Sequence, residues 1–524
     1  MESIWRTLDG DARFGPLAED VDCDVCVIGA GIAGLTTACL LTREGLKVAV
    51  LEAGALLSGE TGRSSAHLTC VLDGGFRRLE KLHGEGSARL AAESHRTAID
   101  FVEKLSAEAR IDCGFARAEG CLFAAPGTDP AALEAEWAAA HRAGVTVTWA
   151  PRGPWRSFDT GRCLIFAGQA QIDPARYGLG LALDVLGRGG RVFTGTRAVS
   201  IDGGALARVV VENGRAVRAR HVVVATHVPF NDRVILHDKQ VPYRSHVIAA
   251  RMPDGAPPAA LGWDTAEPYH YVRGVLEERG EGDLLLVGGE DHKTGREDVR
   301  PPFEALEAWA RERFPEMGEV VRRWSGQILE TVDGLAYIGR NPLDAPNVYV
   351  ATGFSGNGLT YGSIAGMLIA DQIQGRENRW EKLYDPRRRT ARAAAAFLEE
   401  NLGVLPQYLD WLTPGGVKAV AEIAPGSGAL VREGLRKAAV YRDARGRLSA
   451  CSAVCPHLGG VVRWNADEST WDCPCHGSRF SPEGRVLNGP ANSSLSPLDA
   501  PSDPPVVEPE ERLLGRSNGL HKKK

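Results

Sequence analysis

Asp24-Val25-Cys26-Val27-Ile28-Gly29-Ala30-Gly31-Ile32-Ala33-Gly34 decides the fold of the larger part of this chain. The apolar run Val25 to Ile28 reads as a buried strand and ends in G-x-G-x-x-G. A helical pattern from Leu35 to Leu41 follows, then a second apolar strand, Lys47-Val48-Ala49-Val50-Leu51-Glu52. Strand, glycine turn, helix and strand in that order form a Rossmann-like unit. Gly29, Gly31 and Gly34 let the backbone approach a pyrophosphate. Ile32 and Ala33 open the helix, whose N-terminus supplies free N–H groups and partial positive charge. Glu52, with Ala53 beside it, stands where an acid takes the ribose hydroxyls.

Three further segments choose between FAD and NAD. Gly62-Arg63-Ser64-Ser65-Ala66-His67 is a polar loop of small residues after the second strand. Arg220 to Thr226 is a buried strand ending in Ala225 and Thr226. Asn347 to Thr360 reads as a strand, a glycine-rich turn (Gly353, Gly356, Gly358) and a helix opened by Leu359 and Thr360. That helix N-terminus could face a flavin pyrimidine edge. Together these segments resemble the D-amino-acid oxidase and glycine oxidase superfamily of FAD enzymes over roughly residues 20–400. Asp333 to Arg340 also fits that family, though a proline common there is Ala336 here. No second G-x-G-x-x-G lies between residues 150 and 260. Gly187-Arg188-Gly189-Gly190 sits in the wrong order for a dinucleotide site, so a pyridine-nucleotide reductase is disfavoured.

The other end carries Cys455-Pro456-His457-Leu458-Gly459 and Cys473-Pro474-Cys475-His476-Gly477-Ser478. Two thiolates and two imidazoles from two short loops are what a Rieske [2Fe–2S] centre needs: Cys455 and Cys473 on one iron, His457 and His476 on the other. A Cys2His2 zinc site is the rival, but C-x-H is too tight for ordinary zinc spacing. Residues 417–500 resemble the Rieske domain family closely. In the respiratory members a cysteine pairs with the one at position 475; here its place is Gly460. A tyrosine that donates to a ligand sulfur there is Phe480 here, while Ser478 is kept. Fewer hydrogen bonds to sulfur put the expected potential low in the Rieske span, roughly −150 to +100 mV.

The order of modules resembles bacterial FAD-dependent oxidoreductases with a C-terminal Rieske domain. The expected fold is an α/β Rossmann-like FAD-binding domain with an antiparallel-sheet substrate subdomain, then an all-β Rieske domain. The expected boundaries are 1–402 for the FAD oxidoreductase part, 403–416 for a linker, 417–506 for the Rieske domain and 507–524 for a disordered tail. Within the first part, residues 20–75, 150–235 and 325–400 are assigned to FAD binding, and 76–149 and 236–324 to the substrate. A closing helix is expected over Arg387 to Asn401.

Composition sets limits. The 524 residues are 44% apolar and carry a net charge of −6, so no polybasic field for nucleic acid exists. No apolar run reaches the length of a membrane span, and Met1 to Arg6 does not read as a signal peptide. Seven of the eleven cysteines are scattered through the FAD region, which suits reduced thiols in a cytoplasmic protein.

Tyr271 and Arg273, two apart on a strand, share a face and form the best pair for a carboxylate substrate. They compete with a reading as ordinary strand residues. His67 sits in the flavin-contacting loop, as a polar contact or a point of covalent attachment. His292 is either a base near the flavin or a strand-end residue. The favoured reaction is hydride abstraction by FAD from a small-molecule amine or amino acid, with electrons leaving singly through the cluster to a ferredoxin or cytochrome. Reverse flow from a ferredoxin or NAD(P)H-linked reductase and a non-catalytic redox sensor are the alternatives. Thirteen histidines, two of them cluster ligands, offer no convincing mononuclear iron triad for a Rieske oxygenase.

Overall fold

The computed structural model describes residues 2–5, 13–231, 236–253, 260–275, 282–295, 301–389, 416–417, 419–434 and 436–499. The expected linker up to residue 415, all but the first residues of the closing helix, and the C-terminal tail lie outside that set.

Val21–Ile28 and Val48–Leu51 form adjacent parallel strands, with the apolar stretch Val25 to Ile28 and all of Val48–Leu51 buried. Strands buried on both faces carry unbroken apolar runs because neither side meets water. The main path of the eight-stranded nucleotide sheet runs, in spatial order, Tyr337–Arg340, Val348–Thr352, Ala216–Val224, Val21–Ile28, Val48–Leu51 and Arg191–Phe193, parallel except at Tyr337–Arg340, while Ala207–Val211 and Ala198–Asp202 branch antiparallel from Ala216–Val224. Helices Ile32–Arg43 and Gly358–Ile373 pack together above it, so both helix N-termini open at the same sheet edge. Gly195 takes a left-handed conformation between strands Arg191–Phe193 and Ala198–Asp202, which breaks the chain's extended run there. Asp173 caps helix Pro174–Gly187 by accepting from the amides of Ala175 and Arg176, at 2.9 and 3.0 Å.

The second sheet takes more of the chain than its sequence assignment. Its order is Val320–Thr331, Gln240–Arg251, Leu284–Lys293, His270–Val275, Ala260–Asp264, Ala116–Phe123, Cys163–Gln171 and His67–Leu68. Cys163–Gln171 and part of Val320–Thr331 fall in stretches assigned to FAD binding. They belong here because their backbone pairs with this sheet. All neighbours are antiparallel except Ala260–Asp264 with Ala116–Phe123.

The C-terminal domain is two four-stranded antiparallel sheets. One contains Ser427–Glu433, Arg436–Arg442, Leu448–Ser452 and Pro497–Leu498. The other contains Arg463–Asn465, Thr470–Asp472, Arg479–Phe480 and Val486–Asn488. Trp471 and Phe480, fully buried, hold the second sheet on a core shared with Cys455 and Cys473.

Candidate functional site

The two cysteine loops have the same backbone. The Cys455 amide donates to Gly460 O at 2.8 Å, and the Cys473 amide donates to Ser478 O at 2.8 Å. The Gly459 amide donates to Cys455 O and the Gly477 amide to Cys473 O, both at 3.0 Å. Gly459 and Gly477 reverse each loop at φ 79° and 77°, which L side chains rarely adopt. Cysteine, proline and that glycine recur at equal spacing in both loops, so the two loops face each other as near-copies. Cys455 and Cys473 are 2% exposed. The His457 and His476 rings lie 5.0 Å apart, centroid to centroid. Burial holds His476 down to about 4, so its imidazole is neutral, and its Nδ1 is buried without a hydrogen-bond partner. Two thiols on one side and two imidazoles on the other, with the orphaned ring nitrogen of His476 between, fit a [2Fe–2S] centre. The imidazoles face inward: His237 of the first domain packs 4.7 Å from the His457 ring and 5.4 Å from that of His476.

A cavity of about 1570 Å³ runs from Glu52 to Gly358, far more than a small-ligand pocket needs. Gly29 bends at φ 106°, and a Cβ there would lie 2.3 Å from Ala225 O. A Cβ on Gly34 would lie 1.9 Å from Gly29 O. These glycines seat the turn against the sheet, so a pyrophosphate can reach the helix N-terminus. Gly29, Gly31, Ile32 and Ala33 line the cavity, as do Glu52, Ala53, Arg63, Ser64, Ser65, Ala225 and Thr226. Gly356, Gly358 and Leu359 line its far end. Gly34, Gly353 and Thr360 do not: Gly34 packs beneath the turn, Gly353 abuts Thr331, and the Thr360 hydroxyl donates to Thr69 O at 3.2 Å. The Glu52 carboxylate accepts from the Ala30 and Gly54 amides at 2.8 and 2.9 Å.

Residues 24–372 match the family described as FAD dependent oxidoreductase, and residues 414–499 match the Rieske [2Fe-2S] domain. The chain belongs to the FAD-dependent oxidoreductases, with a C-terminal Rieske domain. It binds FAD in its first part and a [2Fe–2S] cluster in its second. It is 31% identical over 501 residues to YhfW of Bacillus subtilis, described as a Rieske 2Fe-2S iron-sulfur protein, covering 95% of this chain and 97% of that one. It is 27% identical over 382 residues to gamma-glutamylputrescine oxidoreductase of Escherichia coli, covering 71% and 88%. Glycine oxidase from Geobacillus kaustophilus shares the fold with a TM-score of 0.59 at 20% identity, over 70% of this chain and 99% of that one. Among the described residues, no helix is long and apolar enough to cross a membrane.

The four residues expected at the substrate end part company. Tyr271 and His67 line the cavity, their rings 5.6 Å apart and edge to face. Burial holds His67 down to about 3, so it is neutral. Arg273 does not line the cavity. Its guanidinium donates to the carbonyls of Ser65, Ala66 and Ile172 at 2.8, 2.7 and 3.2 Å, so it props the flavin-side loop from beneath. His292 lies outside the cavity, stacked on His246 at 5.1 Å.

Sequence reasoning passed over Asp291. A bulge puts it in place. Gly288 and Gly289 leave room for the Tyr271 ring and for Tyr269 O, each of which a Cβ would approach within 2.1 Å. Glu290 then takes φ 53° and turns its carboxylate to His270, which also holds Asp264 at 2.9 Å. Neighbouring strand residues face opposite ways, so Asp291 enters the cavity beside Ser245, Tyr269 and Tyr271. Neither Asp291 oxygen has a hydrogen-bond partner of good geometry. Burial pushes its carboxyl well above the ordinary range; the Ser245 hydroxyl opposes this, while Asp73, Glu330 and Glu267 add to it. The glycine pair ahead of Glu290 and Asp291 was the one sequence signal for this arrangement.

Proposed function

We propose that this enzyme is a dehydrogenase of cationic amines that sends its electrons out through the cluster. The observation that carries this reading is Asp291, a buried carboxyl lacking donors at a cavity end walled by Asp73, Glu267 and Glu330. A substrate ammonium supplies the missing donors and offsets the acidic wall. The relative named for gamma-glutamylputrescine points to an amine in the same way. Arg273, the arginine expected to hold a substrate carboxylate, does not line the cavity and is spent on backbone carbonyls.

FAD, held by the 29–34 turn and Glu52, would supply a two-electron acceptor for oxidation of the C–N bond, and a cluster held by Cys455, His457, Cys473 and His476 would supply one-electron transfer to a protein such as a ferredoxin or cytochrome. The protein's part is acid–base chemistry and positioning. Asp291 takes the proton an ammonium must lose before its C–N bond is oxidised. Tyr271 OH, 3.2 Å from Ser245 Oγ, orients the nitrogen, and neutral His67 walls the same end without competing charge. The contact of His237 with both cluster imidazoles supports electron passage within one chain. All eleven cysteines are unbridged, which supports a reducing, cytoplasmic setting.

The test is an anaerobic panel of primary amines, diamines and simple amino acids, read by flavin absorbance. Amines bleach the flavin and simple amino acids do not. Bleaching by glycine or alanine with none by amines overturns the reading.

A further inference from the structure

The first domain does not close the FAD cavity alone. Val486, Asn488, Gly489 and Asn492 of the Rieske domain line the same cavity as Glu52, Thr196 and Arg197. This wall is tied down on both sides. Asn488 Nδ2 donates to Glu60 Oε1 at 3.2 Å, and Asn492 Nδ2 donates to Val199 O at 3.0 Å. Arg197, which acts on Glu52, donates to Val486 O at 3.3 Å.

A charge network latches the same face, and two of its members, Glu468 and Arg479, line the cavity too. Glu468 of the Rieske domain bonds both to Arg244, on strand Gln240–Arg251 of the substrate sheet, and to Arg479. Arg479 Nε also donates to Asp472 Oδ1 at 3.1 Å. The side chains of Arg244, Glu468, Arg479 and Asp472 are 1%, 5%, 2% and 2% exposed. Charges this deep are tolerated only while every partner stays in place, so the network fixes how the domains fit together. The fit around it is close: a Cβ on Gly477 would lie 2.7 Å from Pro242, and one on Gly295 would lie 2.8 Å from Pro474. Gln327 Nε2 donates across the same seam to Gly477 O at 2.9 Å.

We propose that the Rieske domain is a structural part of the FAD site: latched through Glu468, the loop 485–492 retains FAD, which leaves only when the domains part. Binding energy for FAD is then shared between two domains, and cofactor loading precedes final docking. The cluster domain acts as a lid as well as an electron carrier.

The test uses the full-length holoprotein. FAD release after dilution is followed by flavin fluorescence in the parent, in Glu468→Lys and in Asn488→Ala/Asn492→Ala. Acrylamide quenching of the bound flavin reads cavity opening in each, whether or not the flavin leaves. The Rieske EPR signal checks that the cluster domain is folded. Glu468→Lys releases FAD at least about tenfold faster, since a cation between two arginines breaks the latch. The asparagine pair gives a smaller rise in release or quenching, because only the lid's own ties are cut. Should Glu468→Lys lose the Rieske signal, the asparagine pair decides. Release and quenching at the parent's level in every variant that keeps its Rieske signal overturn the proposal.

Discussion

The cluster loops and the substrate end of the cavity are built in opposite ways. Each loop is a short closed unit, with its cysteine, its proline and its left-handed glycine in one continuous run. The substrate end draws Asp73, Ser245, Tyr269, Tyr271 and Asp291 from separate parts of the chain, and the buried carboxyl of Asp291 is placed by a bulge. A locally closed site carries its geometry in its spacing. A site assembled across a sheet carries only the alternation of its strands, and one extra residue reverses that.

Four experiments would break or sharpen this contrast. The largest effect comes from Cys473→Ser. It abolishes the Rieske EPR signal outright, because the second thiolate has no substitute, while amines still bleach the flavin. Loss of bleaching with FAD still bound would tie amine oxidation to the cluster itself and contradict this division of the chemistry.

Asp291→Asn strikes the other end. It lowers kcat/KM for amines by about 10²-fold or more and leaves the Rieske signal intact. The pH profile carries the sign. A carboxyl raised by burial is protonated at low pH and becomes a proton acceptor only as pH rises through its elevated pKa. Parent activity therefore climbs with pH along that limb, and the variant loses the limb. An unchanged profile would remove Asp291 from the acid–base role.

The seam between the domains should respond to acid alone. Despite burial, Arg244 and Arg479 hold Glu468 at about 2, below its ordinary 4.5. A depressed carboxyl contributes its stabilisation fully above pH 4.5 and loses it as pH falls towards 2. The contribution is of the order of 3 kcal/mol. Small-angle scattering from pH 6 down to 2 should show the domains parting in that window, and Glu468→Gln should remove the pH dependence.

The smallest effect is expected at Gly460. A Cβ there would lie 2.6 Å from Cys475 Sγ, close enough for Gly460→Cys to form a disulfide across the two ligand loops. Thiol titration should show Cys475 consumed, and the cluster should outlast the parent's under chelator. The parent's midpoint, by redox titration, falls at roughly −150 to +100 mV.

The same contrast explains what the sequence disclosed. The glycine turn at 29–34, the strand running up to Ala225 and Thr226 and the turn at 353–358 announced the FAD fold, because each is a continuous run with a fixed spacing. The Rieske domain was legible for that reason too, from its two cysteine–histidine loops. Period-two reasoning put Tyr271 and Arg273 on one face correctly, yet it carried no depth. Tyr271 reaches the cavity, while Arg273 stops beneath the 64–66 loop with Trp5, whose Nε1 donates to Ser64 O at 2.7 Å. Asp291 stayed hidden because simple alternation does not register the positive φ of Glu290. The Rieske wall of the FAD cavity joins residues 60 and 199 to residues 488 and 492, a contact no local pattern contains.

The most direct measurement is anaerobic rapid mixing of the cluster-loaded holoprotein with a diamine, following flavin absorbance and the Rieske EPR signal in the same samples. The account predicts that the flavin bleaches first and the reduced-cluster signal then appears. No response to any amine, with reduced ferredoxin raising the cluster signal before the flavin bleaches, would contradict it and reverse the direction of flow.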